Sequence, residues 1–100
     1  LKKGGSVGAM YIYLMENLKP LTEQIVKLHV DHLKQLKEQD QLVLCGPFID
    51  YPGGMVVIRA QDIVEATKIA QKDPFIQSGY KSFEIRTIQE ANEENNYLLL

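Results

Sequence analysis

Apolar residues follow two rhythms along this chain, one of period two and one near 3.6, and their order outlines a fold. Residues 10–16, MYIYLME, are apolar at nearly every position and rich in aromatic and branched side chains, which predicts a central strand. Residues 21–39 change to helical spacing. At roughly 100° per residue, Leu21, Ile25, Val26, Leu28, Leu33 and Leu36 share one broad face opposite Lys27, Asp31, Lys34 and Glu38. Pro20 and Thr22 suit the start of that helix. QLVLCGPF, residues 41–48, reads as a second strand ended by Gly46-Pro47, since proline cannot continue a sheet ladder. The loop FIDYPGG leads to a third strand, MVVIRA, and AQDIVEATKIAQKD supplies a second helix with Asp62 as N-cap and Glu65 three residues on. In YKSFEIRTI, residues 80–88, Phe83 and Ile85 alternate with Glu84 and Arg86, as in a strand with one face on a core.

The order β-α-β-β-α-β predicts an α+β, ferredoxin-like domain in which two helices cover one face of a four-stranded antiparallel sheet. Its other face is left bare. Tyr11, Tyr13, Met15, Met55 and Val57 put apolar residues on both faces of the first and third strands, so the bare face needs a cover. A homodimer joined face to face is expected, with Tyr11, Tyr13 or their strand neighbours buried between the subunits. Residues 10–89 form the expected single domain, residues 1–9 a leader or tag outside the fold, and residues 90–100 a C-terminal tail.

Composition narrows the partners. The 100 residues suffice for one small core, and 11 Lys+Arg against 13 Asp+Glu give a net charge of −2 without a basic stripe. No nucleic acid partner is expected. Cys45 is the one cysteine, which allows no internal disulfide and suits a reducing cytoplasm. No apolar run reaches membrane-spanning length.

Candidate chemistry gathers on few residues. His32 in HVDHL can act as a general acid or base, or can be a packed histidine bonded to backbone. His29 and His32 stand three apart on a helix, but a pair without further ligands at suitable spacing predicts no metal. Asp73 follows Ile63, Ala66 and Ala70 on one helix face and ends that inward stripe near the helix C-terminus, where the macrodipole disfavours an acid. It either caps the turn in DPFIQSG or is a buried carboxylate that orients an imidazole or takes a proton. In this topology the exit of the second strand, the loop from Gly46 to Gly54, Asp73 and the start of the first helix share one sheet edge and can build a pocket mouth. Gly46, Pro47 and Asp50 from that loop, with Phe75 beyond Asp73, are the candidate substrate contacts.

His32-Leu33, the CGPF of residues 45–48 and the DPFIQSG of residues 73–79, in this order and spacing, resemble the YciI-like (YCII-related) family of dimeric α+β barrel proteins. The resemblance runs from Met10 to about Gln89. It implies an active-site histidine and aspartate at His32 and Asp73. Relatives often carry an arginine three residues before that histidine, where this chain has His29. The implied activity is a cofactor-free lyase- or isomerase-type proton transfer, or a dehydrochlorination, on a small organic molecule, aromatic ones included. The alternative is a non-catalytic module that holds a small ligand or serves a dimeric interaction.

Overall fold

β1 (Ala9–Asn17), α1 (Glu23–Glu38), β2 (Leu42–Pro47), β3 (Gly53–Ile58), α2 (Ile63–Lys72), α3 (Pro74–Gln77) and β4 (Lys81–Gln89) succeed one another in the computed structural model, which describes residues 9–99. The expected leader falls on residues outside this range, except Ala9, which opens β1. The four strands form one antiparallel sheet in the order β2-β3-β1-β4, the ferredoxin-like arrangement anticipated from the alternation of patterns.

Local chemistry sets the helix limits. Thr22 Oγ1 accepts from the Ile25 N–H at 3.1 Å and starts α1. Asp62 accepts from the Glu65 N–H at 2.9 Å, while the Glu65 carboxylate reaches back to the Gln61 N–H at 2.6 Å, one residue earlier than a capping box places it. α2 ends because Pro74 cannot continue it, and the same proline opens the four-residue α3.

Residues paired across antiparallel strands point to the same face, so the register separates the two sides of the sheet. Tyr11, Tyr13 and Met15 stand beside Ile58, Val56 and Gly54 of β3 and beside Thr87, Ile85 and Phe83 of β4. This side lies under the helices. Tyr13, Val56 and Ile58 are almost wholly buried there, with Ala66 and Ala70 of α2 fully covered. The small alanine side chains let α2 approach the sheet closely.

Burial corrects the expected place of the tyrosines. Tyr11 and Tyr13 belong to the core beneath the helices, and the open face takes their alternating neighbours Ile12 and Leu14, with Leu44, Met55, Val57 and Ile88. The physical reason is the Tyr13 hydroxyl, which finds a buried carboxylate on the helix side and would face an apolar patch on the other. Gly53 also has a steric role, since a Cβ there would fall on the Met15 carbonyl oxygen of the adjacent strand. Only glycine lets β3 lie this close to the end of β1.

Candidate functional site

Asp73 sits at the junction of α2 and α3 with no exposed surface. As N-cap of α3, its Oδ1 accepts from the Phe75 N–H at 2.9 Å. The same carboxylate accepts from His29 Nδ1, at 2.8 Å to Oδ1 and 3.0 Å to Oδ2, and from the Tyr13 hydroxyl at 2.8 Å to Oδ2. Both sequence readings of this acid therefore describe it: it caps a turn and it is a buried carboxylate bonded to an imidazole.

An ionised carboxylate can only accept, so His29 Nδ1 must carry the proton in this contact. Its Nε2 has no protein partner among the described residues. Burial alone would raise the Asp73 carboxyl. The hydrogen bond and charge of His29, then the Tyr13 hydroxyl and the Phe75 N–H, outweigh it and hold the acid below its ordinary range. Tyr13 responds in the opposite sense. Burial first, then the charge and hydrogen bond of Asp73, push its phenol far above the ordinary value, so it remains a hydroxyl donor.

The expected partner of Asp73 was His32, and the structure brings His29 there instead. One further turn along α1 carries His32 away from the α2–α3 junction, about 4.5 Å at 1.5 Å per residue. Its Nε2 lies 3.4 Å from the Tyr13 hydroxyl oxygen. Its ring opens into a separate groove with Gln35, Gln39, Ile69 and Lys72. Tyr13 thus stands between His32 and Asp73. Burial lowers the pKa of His32, with the attraction of Asp73 opposing and His29 assisting.

His29 instead lines a cavity of about 420 Å³ between α1 and the sheet edge. Leu21, Val26, Val30, Leu33 and Met15 give it apolar walls. The imidazole lies on the Phe75 ring, with centroids 3.9 Å apart and planes 16° from parallel. Gly46, Pro47 and Phe75, three of the candidate substrate contacts, line this cavity, as does Cys45. Asp50 does not. It is exposed in a loop whose tip turns to the open face of the sheet, where Phe48 and Tyr51 border a shallow depression with Leu14, Glu16, Ser82 and Glu84. The loop therefore supplies the cavity wall through Gly46, Pro47 and Gly54 and does not arch over the mouth.

Two residues of the site escaped the sequence reading. Tyr13 could have been suspected, because a tyrosine in a central strand needs a partner for its hydroxyl when buried. Lys81 shares the period-two face of Phe83 and Ile85, so its placement on the core side of β4 was written in the alternation. Among the described residues no group of three or more His, Cys, Asp or Glu side chains is arranged to hold a metal ion, and no helix is long and apolar enough to cross a membrane.

Comparison with known proteins agrees with this architecture. The chain is 34% identical over 79 residues to the uncharacterized protein YjpA of Bacillus subtilis (strain 168), an alignment covering 77% of this chain and 93% of that one. Among solved structures it superposes on 5-chloro-2-hydroxyhydroquinone dehydrochlorinase from Burkholderia phenoliruptrix AC1100, in complex with 2,5-dihydroxybenzoquinone. The TM-score is 0.67 at 17% identity, covering 87% of this chain and 99% of that chain. At that identity the likeness concerns the fold. The YCII-related domain matches residues 8–92, which takes in every strand and helix of the sheet and its cover. A match of that extent, with a relative at that identity, makes this chain a member of the YCII-related family.

Proposed function

We propose that the protein is a proton-transfer enzyme of the lyase or isomerase type, acting on a small ring-bearing molecule, with His29 as the acid–base group and Asp73 as its positioning partner. One observation carries this reading. The His29 imidazole is fixed by Asp73 through Nδ1 and borders an apolar cavity with Nε2 unpartnered. An oriented imidazole with one free nitrogen suits general acid–base work near neutral pH. A dehydrochlorinase of the same fold supports the reaction class at the level of the fold.

In the proposed reaction Nε2 takes a proton from the carbon next to a substrate carbonyl. The electron pair left behind forms an enolate. For a lyase, the pair then forms a carbon–carbon double bond as chloride departs from the adjacent carbon, and the proton on Nε2 passes to water. For an isomerase, the imidazolium returns the proton to another carbon. In both, Asp73 stabilises the imidazolium, Tyr13 holds the carboxylate in place, and Gly46, Pro47 and Phe75 contact the substrate.

The test is a thermal-shift screen of hydroxyquinones and chlorinated hydroxyhydroquinones, followed by proton exchange in deuterated water with any compound that raises the midpoint. Wild-type protein should exchange the acidic proton and His29→Gln should not. Exchange that survives in His29→Gln but vanishes in His32→Gln would reverse the assignment of the base.

The working unit in this proposal is a homodimer that covers the open face bearing Ile12, Leu14, Leu44 and Val57. The face is apolar at its centre and charged toward β4, where Glu84 pairs with Arg86 at 2.9 Å. An interface of this kind buries roughly 1,000 Å² or more.

A further inference from the structure

Lys81 opens β4 opposite Asn17, and the residue is only 6% exposed. A lysine at such a strand position ordinarily carries its ammonium out to water along an apolar stem. Here the ammonium turns inward, with Nζ 4.3 Å from the centroid of the Phe75 ring, the same ring on which His29 is stacked. Lys81 lines the cavity together with His29.

The ammonium has three donors, and among the described residues none of them is used in an ion pair or hydrogen bond. Every fully buried side-chain nitrogen or oxygen among those residues has a partner, so the unpaired Lys81 Nζ keeps accessible surface, and Lys81 lines the cavity. Its charge is sustained by the face of Phe75 and by the field of Asp73, while burial pulls its pKa down. Asp73 cannot serve as its direct counter-ion, because its lone pairs are occupied by His29, Tyr13 and the Phe75 N–H. A cation in an otherwise apolar cavity, without an anion of its own, favours a ligand that brings one.

We infer that Lys81 is the recognition group for an anionic oxygen, and that the site takes small, mostly apolar ring acids, either carboxylates or acidic phenols and enols. This names the substrate class of the site proposed above and rests on that reading for its catalytic meaning. Binding itself is measured without turnover. In that reaction the ammonium would touch the oxygen on which enolate charge gathers, while His29 Nε2 handles the proton.

The experiment measures binding of benzoate, its neutral isostere benzamide, and 4-nitrophenol to the full chain by calorimetry and absorbance. Wild-type protein should favour benzoate over benzamide by about tenfold or more, or lower the pKa of bound 4-nitrophenol, seen as phenolate absorbance at a more acid pH. The first outcome marks carboxylates as the class and the second marks phenols and enols. Lys81→Met should remove the preference while retaining the far-ultraviolet circular dichroism of the fold, and Lys81→Gln should do the same with a polar side chain of similar length. His29→Gln should keep the preference, which separates failure of anion recognition from failure of the proposed proton transfer. Equal binding of benzoate and benzamide without a shifted nitrophenol pKa would overturn the inference. So would no binding of either anion at millimolar concentration, or a preference that persists in both Lys81 variants.

Discussion

His29 Nδ1 and Asp73 Oδ1 stand 2.8 Å apart although 44 residues separate them in the chain. The contact joins the middle of α1 to the α2–α3 junction, and Phe75 of α3 closes it by stacking beneath the imidazole. His29 is 12% exposed at its side chain and Asp73 is fully covered, so the pair is shielded on the acid side and open on the side of Nε2. A proton can reach the pair from the cavity through the imidazole.

His29→Gln should lower turnover of a substrate, once one is in hand, by ~10²-fold or more, in the range of general acid–base contributions. His32→Gln should lower it by less than about tenfold, since His32 touches the site only through Tyr13 at 3.4 Å. Steady-state kinetics of the two variants check both statements.

Asp73→Ala strips acceptors from His29, Tyr13 and the Phe75 N–H together. Removing one partner of a buried ion pair costs about 3–5 kcal/mol. Against a whole-domain stability of roughly 5–15 kcal/mol, such a variant should be barely folded. Asp73→Asn keeps the shape and one acceptor, and should cost about 1–3 kcal/mol. Urea titrations followed by circular dichroism give both values.

Stability should fall with acid in two steps. The pKa of His32 is lowered from its ordinary 6.5 in the fold. The unfolded chain therefore binds the extra proton between that lowered value and 6.5, and stability declines as pH drops through this window. The Asp73 carboxyl is held below 3.8, so its contribution is complete above 3.8 and is lost as pH falls through the lowered value. His32→Gln should abolish the first step and Asp73→Asn the second, read as thermal midpoints across the acid range.

Most of the fold was legible because each element carries its own period. The strand MYIYLME, the Thr22 and Asp62 caps and the Asp73-Pro74 stop are local signals that tertiary packing has no cause to override. The site was legible only in part. Asp73 stood out because an acid at the end of a buried stripe has to be answered by something. Which histidine answers it depends on how far α3 lies along α1, a distance no local pattern encodes, and so the choice between His29 and His32 required coordinates. The faces of β1 were ambiguous for a related reason: nearly every position is apolar, and only the buried partner of the Tyr13 hydroxyl decides which side turns inward. Lys81 was hidden by its type, since a lysine in a strand is usually taken for an outward residue.

Gly53→Ala should destabilise the sheet by about 1–3 kcal/mol, because the added methyl must displace the Met15 carbonyl from the β1–β3 ladder. The cost should appear as a lower midpoint in urea with an unchanged slope.

Ile12→Glu should convert the proposed dimer to a monomer without unfolding it. Ile12 lies at the centre of the open face, between Val57 and Arg86, and contributes nothing to the packing beneath the helices. Sedimentation velocity at micromolar concentration decides the matter. A wild-type monomer would refute the dimer itself.

Active sites commonly hold groups that weaken the fold they occupy, so that an enzyme can be stabilised by replacing them. The carboxylate of Asp73 works in the other direction. It begins α3 and anchors a strand tyrosine, while the same two oxygens hold an imidazole that borders the cavity. Selection for a robust scaffold and selection for the proposed, well-aimed base would therefore press on this position in the same sense. Directed evolution for heat resistance should leave Asp73 untouched, and with it the geometry of the proposed site.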